Sequence, residues 1–261
     1  MNLLESVRTA LLGITSNKMR SGLTMLGVII GVAAVVIMVA IGEGANRQVS
    51  SQIERLGSNL LVIMPGRTRE PGAQVRGAFG SLDVLTMDDV QAIRDECPSV
   101  SAVAPEVSRG TTVRYGTSSL QTQVVATTPD YLTVRAFNVA SGSFFTEQDV
   151  EYATKVAVVG QGVVDELFSG ADPIGQELKV GQVRLKVIGV MESKGQSGMT
   201  NIDDAIYVPI TTAQRRLLGT KYVRTIYAQA KDAKSMDAAN DEISAVLAAR
   251  LGSTDAFYVR N

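Results

Sequence analysis

No histidine and no tryptophan occur anywhere in this chain, and cysteine occurs once, at Cys97. Without imidazole, neither a Ser-His-Asp nor a Cys-His nucleophile can be assembled. Without imidazole or a second thiolate, the common zinc ligand sets are excluded as well. One cysteine cannot build a disulfide framework within the chain, and Cys97 is expected as a small buried core residue. Charge of one sign is also lacking. A formal net charge of −1 leaves no basic excess to hold nucleic acid. No Gly-x-x-x-x-Gly-Lys-Ser/Thr run occurs, so there is no phosphate loop of the ATPase kind. The sequence therefore implies no catalytic residues, no cofactor and no metal.

What the chain does have is one long uncharged run, GLTMLGVIIGVAAVVIMVAIG. A bilayer core of about 30 Å takes about 20 apolar helical residues, which residues 22–41 supply. A secretory signal peptide has a shorter apolar region and a small-residue cleavage site. Here the small residues after the run enclose Glu43. A buried core helix would carry a polar stripe, and this run has none. It reads as a retained transmembrane helix. Arg8, Lys18 and Arg20 precede it with Glu5 alone against them, whereas Glu43, Arg47, Glu54 and Arg55 after it balance. By the positive-inside rule the N-terminus is cytoplasmic and the bulk of the chain is extracytoplasmic.

Helical spacing extends on both sides of the run. Leu3, Leu4, Val7, Leu11 and Ile14 recur at i, i+3, i+4 and i+7, which predicts an amphipathic helix lying in the interface within residues 1–21. After the run, Ala45, Val49, Ile53, Leu56 and Leu60 step by three or four. The transmembrane helix is thus expected to continue as a helical stalk over 42–59, with Gly57-Ser58-Asn59 ending it. From residue 22 to 56 such a helix is about 50 Å long, about 20 Å more than the bilayer core. Gly27 and Gly31 form Gly-x-x-x-Gly with Ala34 on nearly the same face, small residues that admit a second helix.

Beyond the stalk, strands and helices alternate. LLVIMPG reads as a strand, and a Gly- and Arg-containing loop follows over 67–80. Thr86 and Asp89 resemble a capping box opening the helix MDDVQAIRDE. VSAVAPEV, TTVRYG and LQTQVVAT read as strands, the last two separated by a turn near Gly116. Near the end, KSMDAANDEISAVLAARLG turns Met236, Ala239, Ile243, Val246 and Leu247 to one face. The middle is richer in short strands, KVAVV, QELKV, VRLKVIGVM and AIYVP. Asp172, Pro173 and Gly175 read as a structural turn feeding the strand from Glu177. KVAVVGQGVVDELF imitates a dinucleotide-binding turn, but Asp165 stands where the third glycine is required. The adjacent carboxylates at 88–89, 95–96, 165–166 and 203–204 read as helix-start charges and solvated turns, and Arg215-Arg216 as a solvated helix face.

NKMRSGLTMLGVIIGVAAVV, IGEGA, LGSNLLVIMPG, YLTVRAFNVASGSFFTEQD, KVAVVGQGVVDELF, DPIGQELKVGQVRLKVIGVM and DDAIYVPITTAQRRL together resemble the N-terminal half of MacB-type ABC transporter permeases. The resemblance implies a membrane-anchored α+β architecture with a two-lobed extracytoplasmic domain. An α/β porter-like lobe would comprise 60–131 and 211–258, and a β-rich sabre-like lobe would be inserted as 132–210. It implies a permease subunit of an export system in the cytoplasmic membrane, with ATP hydrolysis confined to a partner ABC ATPase subunit. A second permease copy, an extracytoplasmic adaptor and membrane lipids complete the implied partners. Family members continue into three further spans, so the chain is expected to be part of a longer permease. Its lever positions would be Val49, Ile53 and Leu56, and its helix-packing positions Gly27, Gly31 and Ala34. A single-pass anchored sensor or ligand-binding module is the alternative. An anchored enzyme ranks last, because no nucleophile–base pair is visible.

The charge asymmetry generates a direct expectation. In intact cells, a cysteine placed at Ser6 resists a membrane-impermeant thiol reagent and one placed at Ser118 reacts; the reverse pattern would overturn the orientation.

Overall fold

The computed structural model describes residues 18–55, 59–66, 83–194, 196–197 and 200–260. The expected interfacial helix over 2–15, the loop 67–80 and Leu56 lie outside them. Two compact units result, one ending at Arg55 and one beginning at Leu56.

The described residues of the first unit form one unbroken helix, α1, Lys18–Arg55. Its stretch Ser21–Gly44 is long and apolar enough to cross a membrane, with a mean hydropathy of 2.8 and no buried residue. Every large apolar side chain from residue 23 to 41 is exposed, which in water would be a severe cost and in lipid is none. The helix includes residues 18–21, which the sequence assigned to the preceding interfacial segment. Hydropathy marks only where a helix becomes apolar, whereas backbone hydrogen bonding runs on through flanking cations.

Apart from two short pairs, β2 (Leu85–Thr86) with β12 (Tyr222–Val223) and β9 (Gln196–Ser197) with β10 (Thr200–Asn201), the second unit is, among the described residues, built on one mixed sheet of ten strands. At one end, β1 (Leu60–Pro65) lies between β14 (Phe257–Arg260) and β13 (Thr225–Ala230), antiparallel to both. β13 then pairs antiparallel with the first half of β3 (Val100–Tyr115), from Val100 to Glu106. The second half of β3, from Val107 to Tyr115, pairs instead with β4 (Ser118–Thr127). From β4 the sheet continues through β11 (Ala205–Pro209), β6 (Val156–Val159) and β8 (Val183–Met191) to β5 (Val139–Gly142), while β7 (Glu177–Val180) bridges β8 and the end of β3. β4–β11 and β6–β8 are parallel pairs and the rest are antiparallel.

The stretches 100–107 and 111–116 are thus not two strands but one. The strand changes partner just after Pro105, a residue with no N–H to give to a ladder. The expected division at residue 131 does not follow the hydrogen bonding either. Residues 107–127 join β7 and β11 of the middle segment rather than β1, β13 and β14. A hairpin belongs to the sheet its edges pair with, and that partner choice is invisible along the sequence.

Helices α2 (Met87–Glu96) and α7 (Met236–Leu251) pack on each other, and α2 also packs on β3; the shorter helices α3 (Tyr131–Val134), α4 (Glu147–Glu151), α5 (Gln161–Phe168) and α6 (Ile210–Thr212) lie between α2 and α7 in the chain. Ala239, Ile243 and Leu247 are fully buried, with Met236 and Val246 packed beside them. Gly252 ends α7 at φ 72°, the left-handed position that glycine adopts at little cost. Asp89 is more than a helix-start charge. Its Oδ2 accepts from Thr86 N (2.9 Å) and Thr86 Oγ1 (2.8 Å), while Oδ1 accepts from Arg250 Nε at 2.8 Å. One carboxylate, 3% exposed, thereby caps α2 and ties it to α7. Ser99 repeats the tie, donating through its backbone N and Oγ to Glu242 on α7.

Removing the Asp89 carboxylate leaves the half-buried Thr86 donors and the more exposed Arg250 guanidinium without their acceptor. Asp89→Ala is expected to cost about 2 kcal/mol, lowering the thermal midpoint by about 4–8 °C. Asp88→Ala, at the exposed neighbour, should change stability by under about 0.5 kcal/mol; thermal denaturation of both variants checks the contrast.

Candidate functional site

Where β3 changes partners, the second unit encloses a cavity of about 290 Å³. Glu106 enters it from β3, Tyr207 from β11 and Tyr227 from β13; Tyr131 comes from the short helix α3 (Tyr131–Val134), and Arg135 and Phe137 from the chain just after it. Tyr131 and Arg135 are four residues apart on a helical turn, hence on one face. Ala136, at φ 50°, takes a left-handed conformation rare outside glycine, and the residues on either side of it both line the cavity.

The aromatic side chains form a connected wall. The Tyr131 ring lies 5.6 Å from Phe137, 5.9 Å from Tyr207 and 6.0 Å from Tyr227 between centroids, all within the range of favourable ring contacts. Tyr131 and Tyr207 are buried, whereas Glu106, Arg135 and Tyr227 are half-buried and leave the cavity open to solvent. Tyr131 donates its hydroxyl to Glu106 Oε2 at 2.8 Å, and the nearby Tyr227 and Ser108 hydroxyls also favour the charged form of this carboxyl. The Arg135 guanidinium carbon lies 4.9 Å from the Tyr227 ring centre and 5.7 Å from that of Phe137, a cation–π arrangement. Its Nε is buried and, among the described residues, has no hydrogen-bond partner. Lys194 Nζ lies 4.7 Å from the Phe137 ring centre and donates to the Ala136 carbonyl.

Burial dominates the electrostatics. It raises Glu106 above the usual carboxylate range, partly offset by the Tyr131 hydroxyl and the Arg135 charge. Burial, and then the Glu106 charge, push Tyr227 up to about 12 and Tyr131 well above an ordinary phenol. The phenols therefore stay protonated and remain hydrogen-bond donors. What the cavity offers chemically is rings, hydroxyls and one guanidinium. No sequence argument singled it out; the Tyr131/Arg135 spacing was the available clue.

The residues singled out from sequence sit elsewhere. Gly27, Gly31 and Ala34 lie on α1, where a side-chain carbon added at either glycine would meet nothing within 4 Å. Val49 and Ile53 fall on the same helix beyond Gly44, and Leu56 lies outside the described residues. Asp172, Pro173 and Gly175 form a turn: Asp172 Oδ1 accepts from Ile174 N at 2.9 Å, Gln176 N donates to Pro173 O, and Gly175 has φ 86°. That is a type II turn with glycine at its third position. In the Gly-x-Gly imitation, a Cβ on Gly160 would lie 2.2 Å from Asp203 O, and one on Gly162 2.1 Å from Asp204 Oδ1. These glycines admit the 203–204 turn, so the space where a pyrophosphate would approach the backbone is filled by protein. Cys97 is buried, and burial with Glu242 and Glu96 nearby pushes its thiol up to about 11.

Comparison with known proteins adds the family. The model of the MacB-like periplasmic core domain matches residues 21–246. The chain belongs to that family. It is 41% identical to the macrolide export ATP-binding/permease protein MacB of Azoarcus sp. strain BH72, over 100% of this chain and 39% of that protein. The MacB protein of Bdellovibrio bacteriovorus is 36% identical over 99% of this chain and 40% of its own length. The chain thus spans about two fifths of these relatives. In fold, it resembles the crystal structure of the periplasmic region of MacB from Actinobacillus actinomycetemcomitans, with TM-score 0.67, 19% identity, and 80% of this chain and 91% of that one covered. The extracellular domain of the ABC-type transporter YknZ from Gram-positive bacteria gives TM-score 0.63 at 18% identity, covering 78% of this chain and all of that one. This MacB-like chain accordingly joins one apolar helix to a mixed α/β periplasmic core domain.

Because burial raises Glu106 in the folded state, its contribution to stability is fully present below the unfolded carboxyl value and is lost as pH rises through the folded one. Glu106→Gln keeps an acceptor for Tyr131 but cannot ionise. Relative to the unaltered chain, this variant is therefore expected to be more stable at pH 8 than at pH 4. Thermal midpoints of both proteins at the two pH values check this, and an unchanged difference would overturn it.

Proposed function

We propose that this chain is the first membrane helix and extracytoplasmic domain of an ABC export permease, and that it passes the motion of a cytoplasmic ATPase to that domain. The observation that carries the reading is the continuity of α1. Its helical hydrogen bonding runs unbroken from Lys18 through Gly44 to Arg55. The eleven residues after Gly44 add about 16 Å of helix beyond the apolar stretch. A rigid element transmits a displacement that a flexible linker would absorb.

The partners follow from the same reading. An ABC ATPase subunit supplies the energy, a second copy of the permease pairs with the first, and an extracytoplasmic adaptor receives the motion. The exposed Gly27/Gly31/Ala34 face is the proposed contact for another membrane helix, since close backbone approach drives association where lipid removes the hydrophobic gain. Val49, Ile53 and Leu56 are the proposed contacts for a second stalk. The helix crosses the cytoplasmic membrane with its N-terminus inside. Within the outer domain, β1, β13, β14 and the first half of β3 with α2 and α7 correspond to the porter-like lobe; the strands from β4 to β5 correspond to the sabre-like one.

The test breaks the helix without touching the ATPase. In the full-length permease with its ATPase, Ser51→Pro removes a helical hydrogen bond and costs about 3 kcal/mol of local helix stability, whereas Ser51→Ala leaves the helix intact. Ser51→Pro is expected to keep nucleotide hydrolysis and lose export, and Ile53→Asp to do the same through the stalk contact. Equal export by Ser51→Pro and Ser51→Ala at matched expression would overturn the lever.

A further inference from the structure

The cavity behind β3 has a chemistry that the transport reading does not use. Three tyrosines and a phenylalanine around a glutamate would ordinarily make a cage for an organic cation. Here the cage already holds one: the Arg135 guanidinium lies over the rings of Tyr227 and Phe137. A cationic guest would meet that charge, and Lys194 on Phe137 adds to it. The rings attend the guanidinium charge and leave its N–H donors in need of oxygen acceptors. Among the described residues, Arg135 Nε has no acceptor, and no carboxylate lies within ion-pair distance of this arginine. Glu106 is held by the Tyr131 hydroxyl instead, and burial raises it, which lessens the charge it sets against an anionic guest.

From this geometry we infer that the cavity binds a small aromatic carboxylate, with Arg135 taking the carboxylate edge-on and Tyr131, Phe137 and Tyr207 walling its ring. The planar fork of arginine matches two carboxylate oxygens at once, which a lysine cannot do. Size sets the scale of the guest. At about 290 Å³ the cavity is at the lower bound of ordinary ligand pockets, enough for one ring and a short acid and far too small for a macrocycle. The site lies wholly within the second unit and does not depend on the transport reading.

The test uses the whole chain in detergent micelles and three probes sharing one ring: phenylacetate, 2-phenylethylammonium and 2-phenylethanol. With no tryptophan, and with three of the seven tyrosines lining the cavity, tyrosine emission responds to a guest there, and calorimetry supplies the affinity. Phenylacetate is expected to bind saturably with a Kd below about 1 mM, the other two at least about tenfold more weakly. Arg135→Lys, which keeps the charge and loses the fork, should weaken phenylacetate by at least about tenfold. The three-probe comparison needs no variant and decides the matter even if Arg135→Lys fails to fold. Absence of saturable phenylacetate binding to the folded unaltered chain would overturn the proposal. So would equal binding of the ammonium probe, or unweakened binding by a folded Arg135→Lys.

Discussion

A β-strand presents two rows of N–H and C=O groups, and each row must find a partner when it is buried. In Val100–Tyr115 the two rows serve different neighbours: up to Glu106 one edge pairs with β13, and from Val107 the other pairs with β4. The rest of the second unit depends on that exchange. It joins the antiparallel strands carrying α2 and α7 to the mixed strands of the middle segment as one sheet. Pro105, at the exchange, supplies a C=O that Thr127 Oγ1 binds at 2.7 Å, fixing the end of β4 against the same point.

The cavity follows from the same exchange. Past Glu106, β13 and β4 lie along different parts and opposite edges of β3, and the space at the fork is closed by α3 and the side chains after it. Apolar residues alone could fill such a gap, but Glu106 and Arg135 bring ionisable groups into it. Buried charge is tolerated only with partners. Tyrosine suits this task because one side chain offers both a ring for the guanidinium and a hydroxyl for the carboxyl. The result is a polar pocket in which Glu106 and Arg135 make no ion pair at contact distance among the described residues and each is attended at close range by aromatic side chains.

Helix α1 answers to a different solvent. Its exposed apolar surface and its glycines with nothing beside them are stable arrangements in lipid, where the helix satisfies its own backbone and close helix contacts replace the hydrophobic drive. The domain that follows in the chain is held by a water-driven core around Ile63, Ile226, Ile206 and Tyr207. Two physical regimes thus meet in one polypeptide, which is the arrangement a membrane-anchored periplasmic core domain requires.

Much of this was legible in residue order, because it depends on near neighbours. The apolar run sets a helix of membrane length, Thr86 and Asp89 set the start of α2, and the spacing of Ala239, Ile243 and Leu247 sets the buried face of α7. Only the tertiary structure decided the rest. It made one strand of 100–115, because continuation depends on which edges are offered partners. It made Gly160 and Gly162 a seat for the 203–204 turn, because closeness in space leaves no mark on the intervening sequence. It also brought Glu106, Tyr131, Arg135, Tyr207 and Tyr227 around one cavity. These residues come from separate elements with no shared period, and a cavity exists only where packed surfaces fail to meet, a property of the assembled sheet and not of any segment of it.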